Sequence, residues 1–163
     1  MTQTTKKPWR LVIREVDSAE FHFSQASRLF EKLAAIQNQS DIYDVEMAFQ
    51  HAMQSGYNSV EAVIKRILTI AGEDLPVGAS THKELLMDAF EPYEGRPAIF
   101  TGSDMRHALE ALRGFRHVAA HSYDDFSLEL AQPSALAAKN IQGKLKSQIL
   151  AFIERFDPPL EQP

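Results

Sequence analysis

An all-α chain, an up-and-down helical bundle of four to five helices, is what the sequence predicts, and three observations predict it. Apolar residues recur at three- and four-residue steps over long stretches, the period of an amphipathic helix. The stretches are punctuated as helices are, with hydroxyl or carboxylate residues ahead of them and Pro behind. No convincing strand, internal repeat or low-complexity tract interrupts them. With 163 residues, 44% of them hydrophobic, the chain can bury one sizeable core, so a single helical domain over 1–163 is expected, with 1–8 and 157–163 as flexible ends.

The first helix is expected from Trp9 to about Ile36, where Val12, Val16, Ala19, Phe23, Ala26, Phe30 and Leu33 trace one face. Ser40 or Asp41 can cap a second, carried by Val45, Phe49, Met53, Val60, Ile64 and Leu68 to Ala71, with Gly56 marking a kink. Thr81-His-Lys-Glu has the form of a capping box, a hydroxyl followed three residues on by a carboxylate, and opens a short helix through Leu85, Leu86 and Phe90 that Pro92 ends. Pro92, Gly95, Pro97 and Gly102 make 91–102 a loop, not a domain linker. Ser103 or Asp104 caps helix four, and apolar spacing resumes near Leu136 and runs to Phe156, before Asp157-Pro158-Pro159.

Without cysteine the chain has neither disulfides nor thiolate metal sites, and a cytoplasmic location is the expectation. Residues 1–9 carry a basic pair with no apolar run behind it, which does not read as a secretion signal or a membrane anchor. The net charge of −5 is the opposite of a broad phosphate-binding surface, so any contact with nucleic acid must come from a local basic cluster.

Helix four carries the chemistry. At about 100° per residue, with His107 at zero, Glu110, Arg113, His117 and His121 fall between roughly 240° and 320° and form a polar stripe. Met105, Ala108, Leu109, Leu112, Phe115 and Val118 occupy the core-facing arc, and Arg116 falls near 180°, inside it. A guanidinium cannot be buried there unpaired. A carboxylate, a bound phosphate or a second chain must satisfy it. The same wheel sets Arg116 and His121 about 140° apart, so either the helix bends or ends near His121, or two chains pack through this helix and share sites, which is the favoured reading.

Within Arg116-His-Val-Ala-Ala-His-Ser-Tyr123, an Arg that can hold a phosphate, a His that can move a proton and a Tyr hydroxyl suit metal-free phosphodiester chemistry. His117 and His121 have the spacing of two helical metal ligands, but no third ligand accompanies them, so no metal or other cofactor is expected. Arg113 either pairs with Glu110 or supplies local positive charge; His22, His51 and His82 read as surface or capping residues with no nameable partner.

The octapeptide resembles the signature R-x4-H-x-Y of the HEPN superfamily of helical RNases, and within it the HepT-like toxins; it stands here as Arg116, His121 and Tyr123. The flanking Leu112-Arg-Gly-Phe-Arg-His and Tyr123-Asp-Asp-Phe-Ser-Leu-Glu-Leu, with Thr81-His-Lys-Glu-Leu-Leu and Arg96-Pro97 upstream, extend the resemblance over most of the chain. It implies a metal-independent endoribonuclease acting as a homodimeric toxin of a HEPN/MNT (type VII) module. A minimal nucleotidyltransferase antitoxin would adenylylate Tyr123. By the same resemblance Arg116 and His121 are the catalytic pair, with His117 and Arg113 supporting RNA contact. The alternative is a non-catalytic helical partner of a nucleotidyltransferase, binding nucleotide or protein.

Overall fold

The structure, a computed structural model, describes residues 6–121 and 126–158, the backbone alone over 116–121. These residues form α1 Lys7–Ala35, α2 Gln39–Ile70, α3 Thr81–Phe90, α4 Ser103–His121, α5 Leu128–Asn140 and α6 Lys144–Phe156. Among them there is no strand, only an isolated antiparallel bridge between Tyr93 and Arg96. The fold is all-α, as the periodicity predicts.

A long α1–α2 hairpin is the spine. The contacts Glu15–Arg66, Ser18–Ser59 and Phe30–Phe49 step backward along α2 as α1 advances, so the two helices run antiparallel. Val12, Val16, Ala19, Phe23 and Ala26 face Phe49, Met53, Val60, Ile64 and Ile67 in one buried apolar cluster to which all six helices contribute. α2 runs unbroken through Gly56 from Gln39 to Ile70. Gly56 admits Phe23: a Cβ there would stand 2.6 Å from the phenyl ring, closer than any non-bonded carbon pair tolerates.

The ends of the helices differ from expectation in ways that local hydrogen bonding explains. Asn38, not Ser40 or Asp41, caps α2, its side-chain oxygen accepting from the Ser40 amide at 3.3 Å. Thr81 is already inside α3, and its hydroxyl donates to the Gly78 carbonyl at 2.6 Å instead of capping. The single helix expected over 136–156 is two, one more helix than the four to five foreseen. Gly143, at φ 78°, takes a left-handed conformation that stops the run after α5 and lets α6 start afresh. α6 then finds its cap far away in sequence: the Glu20 carboxylate accepts from the Gly143 and Lys146 amides at 2.8 and 3.1 Å. α5 starts before the apolar pattern resumes, with Ser127 accepting from the Leu130 amide, and its small Ala131, Ala135 and Ala138 bring it close against the bundle.

α1 begins at Lys7, and its first turns pack against the end of α6. Pro8 lies in the first turn of α1, and Trp9 is buried edge-on against Phe152 and Phe156. Its indole N–H donates to Asp157 at 2.9 Å, and that bond, with Lys6 beside it, holds the Asp157 carboxyl below its ordinary pKa. No helix among the described residues is long and apolar enough to cross a membrane.

Candidate functional site

α4 ends on the histidine of the octapeptide. Its backbone is helical from Ser103 through His121, so Arg116 and His117 lie in its last two turns and His121 is its final residue. Tyr123 lies outside the described residues, and the side chains of Arg116, His117 and His121 do as well.

The helix that presents them is firmly seated. Met105, Ala108, Leu109, Leu112 and Phe115 are buried, as the wheel predicts, while His107 is exposed. Arg116 takes the register position that follows Leu109 and Leu112 on this buried arc. Phe49 of α2 anchors the segment from below: fully buried, its ring meets Phe30 of α1 at 5.5 Å, Phe115 at 5.6 Å and Phe126 at 5.8 Å between centroids. The chain thus leaves this ring immediately before Arg116 and returns to it immediately ahead of α5. That packing fixes where the end of α4 stands relative to the α1–α2 spine.

On the polar stripe, Arg113 donates through Nε and Nη2 to one oxygen of Glu110, at 3.2 and 2.9 Å. Of the two readings for Arg113, pairing is the one found. A half-exposed pair one turn apart contributes only a few tenths of a kcal/mol, so Arg113 can exchange Glu110 for a phosphate at little cost.

Two polar centres with buried members lie away from the motif. Arg96, only 3% exposed, chelates Glu73 with Nε and Nη2 and donates to the carbonyls of Asp88, Glu91 and Pro97. It ties the end of α2 to the end of α3 and to the 91–102 loop. The neighbouring Asp88 carboxyl is raised above its ordinary pKa by burial first, then by the charge of Glu73. Glu61, 4% exposed in the middle of α2, is bonded at 2.6 Å to His82 Nδ1 in the first turn of α3. His82 therefore has the partner that the sequence did not reveal. The available signal was Glu61 itself, a carboxylate among Val60, Val63 and Ile64, which must find a donor. His22 is partly buried, which lowers its pKa, with His51 across the hairpin adding to the shift. Among the described residues no three His, Asp or Glu side chains converge as metal ligands.

A family model for HepT-like proteins matches residues 48–156, about two-thirds of the chain. The chain is a HepT-like protein. The matched span of this HepT-like chain runs from within α2 to the end of α6 and contains Phe49, the Arg96 and Glu61 centres and the whole Arg116–Tyr123 octapeptide; α1 lies outside it. Neither the curated proteins nor the solved structures contain a match.

Proposed function

We propose that this HepT-like protein is a metal-independent endoribonuclease, the toxin of a HEPN/MNT (type VII) toxin–antitoxin module, working in the cytoplasm as a homodimer. The observation that carries the reading is the position of Arg116-x4-His121: the last turns of a well-seated helix, inside the span that defines the family.

The chemistry needs no cofactor. The ribose 2′-oxygen bonds to phosphorus as the P–O5′ bond breaks, leaving a 2′,3′-cyclic phosphate and a 5′-hydroxyl. One imidazole must take the 2′ proton and another must give a proton to O5′. A single chain offers one motif histidine at the end of α4, whereas a homodimer joined through this helix offers His121 twice, one copy as base and one as acid. Arg116 neutralises the charge that grows on the phosphorane oxygens. His117 and Arg113 hold the adjoining backbone. A minimal nucleotidyltransferase antitoxin would transfer AMP from ATP to the Tyr123 hydroxyl with loss of pyrophosphate, placing bulk and negative charge beside Arg116 and closing the site.

The test is cleavage of an RNA pool by purified, unmodified protein in EDTA. The unsubstituted chain is expected to leave 2′,3′-cyclic or 3′-phosphate ends, and His121→Ala or Arg116→Ala to lower the rate on the order of 10²–10⁴-fold with melting temperature retained. Folded, unmodified protein that cuts no RNA overturns the nuclease and leaves a binding partner of the nucleotidyltransferase.

A further inference from the structure

An acidic chain that handles RNA needs a local basic surface, and Arg113, paired with Glu110, does not make one alone. The fold assembles one elsewhere. Residues 6–14, at the start of α1, contain Lys6, Lys7, Arg10 and Arg14 and no carboxylate; residues 62–70, at the end of α2, contain Lys65 and Arg66 and again none. The antiparallel hairpin brings these two stretches side by side, so six of the 17 Lys and Arg residues gather at one end of the spine.

Only two of the six meet a carboxylate among the described residues, Lys6 with Asp157 and Arg66 with Glu15. Lys7, Arg10, Arg14 and Lys65 are exposed and enter no ion pair among the described residues. Lys7, Arg10 and Arg14 lie within about 60° of one another on the helical wheel, opposite the buried Trp9, Val12 and Val16, so they form a ridge. Beside it runs a hollow of about 370 Å³ whose walls include Lys7, Leu11, Lys65, Arg66 and Thr69.

We propose that this ridge is a docking surface for the phosphate backbone of RNA, separate from the motif and serving to hold the strand that the motif cuts. The identity of the polyanion rests on the nuclease reading; the existence of the surface does not. Exposed large apolar side chains are absent from these two helix segments, Leu11 and Ile70 being half-buried, so nothing there would insert into a lipid surface. Neither of these two segments carries an exposed aromatic, so their contact reads charge and not base sequence.

Geometry adds a length requirement. The ridge lies beside Arg66, whereas the motif helix is anchored on Phe49, 17 residues back along the continuous α2, or about 25 Å at 1.5 Å per residue. At the roughly 3.4 Å per phosphate of a stacked strand, an RNA must be about seven nucleotides long to touch both.

The experiment uses the full chain carrying His121→Ala, so that binding is read without cleavage, and a fluorescent single-stranded RNA of about twelve nucleotides, long enough for both contacts. Affinity is measured by anisotropy across a salt series for three proteins: this chain, the same chain with Lys7, Arg10, Arg14 and Lys65 each replaced by Gln, and a charge-matched control with Arg28, Lys32, Lys83 and Lys144 replaced by Gln. The ridge variant is expected to lose on the order of tenfold or more in affinity and about 3 in the slope of log K against log salt, at about 0.7 per phosphate contact. The control is expected to stay close to the parent. Equal losses in both variants, or parent protein that binds phosphatidylserine vesicles but no RNA, overturns the ridge. If the ridge binds RNA in this series while the unsubstituted, unmodified chain cleaves none, the nuclease reading is overturned and the ridge stands.

Discussion

Arg96 and Arg113 each close an ion pair with a glutamate, and the two pairs do opposite work. Arg96 is buried, bonded to both oxygens of Glu73 and to three carbonyls from segments that no helix holds together. Arg113 is about a third exposed, shares one oxygen of Glu110 a single turn away, and bridges nothing that the helix does not already join. Burial removes water as a substitute partner, so the first pair cannot be exchanged; exposure leaves the second free to exchange for a ligand. An arginine inside the core is here a staple, and an arginine on the stripe of α4 is available for function.

Breaking the buried pair should have the largest effect. Arg96→Ala strands Glu73 and three carbonyls and is expected to cost about 3–5 kcal/mol, a drop of about 6–20 °C in melting temperature by circular dichroism. Arg96→Lys should rescue little, because an ammonium cannot span the same acceptors. If Arg96→Ala melted within about 1 °C of the unsubstituted chain, the staple would be refuted.

Asp88 sharpens the contrast through pH. Its carboxyl is raised above the ordinary value by burial, so folding favours the protonated form: stability from this group is fully present below the unfolded pKa and is lost as pH rises through the folded one. Asp88→Asn should therefore melt above the unsubstituted chain at pH 7, with the difference closing as the pH falls through the carboxylate range. A difference that grows on acidification would contradict the assignment.

Glu110→Gln is the smallest. It removes the partner of Arg113 at a cost of a few tenths of a kcal/mol, leaving the melting temperature within about 1 °C. RNA affinity is expected to rise slightly as Arg113 is freed. A large loss of stability would place this pair with Arg96 and erase the comparison.

The legibility of the chain follows the range of the interactions. α1, expected over Trp9 to Ile36 and found over Lys7–Ala35, and α2, expected to reach Ala71 and found to end at Ile70, are carried by side chains three and four residues apart, which sequence displays directly. The Glu110–Arg113 pair is of the same kind. Gly56 is visible in the sequence as an exception, but only the ring of Phe23, from the other helix, shows what its missing side chain makes room for. The C-terminal run looks like one helix in the sequence because an apolar period does not register a single left-handed glycine, and because the cap that restarts it, Glu20, is more than a hundred residues away.

The candidate site divides along the same line. Arg116, His121 and Tyr123 were recognisable as a spaced motif, and their spacing on a wheel already set Arg116 on the buried arc of α4. The Phe49 anchor beneath the motif, the Arg96 and Glu61 centres and the basic ridge were not recognisable. Sequence by itself determined the all-α class, the apolar face of each long helix and the motif, because each rests on neighbours within one or two turns. The tertiary structure decided which buried charges are paired, what supports the end of α4 and where positive charge accumulates. Those depend on residues far apart in the chain being packed together, and an amphipathic period specifies that a helix face is buried without specifying against what.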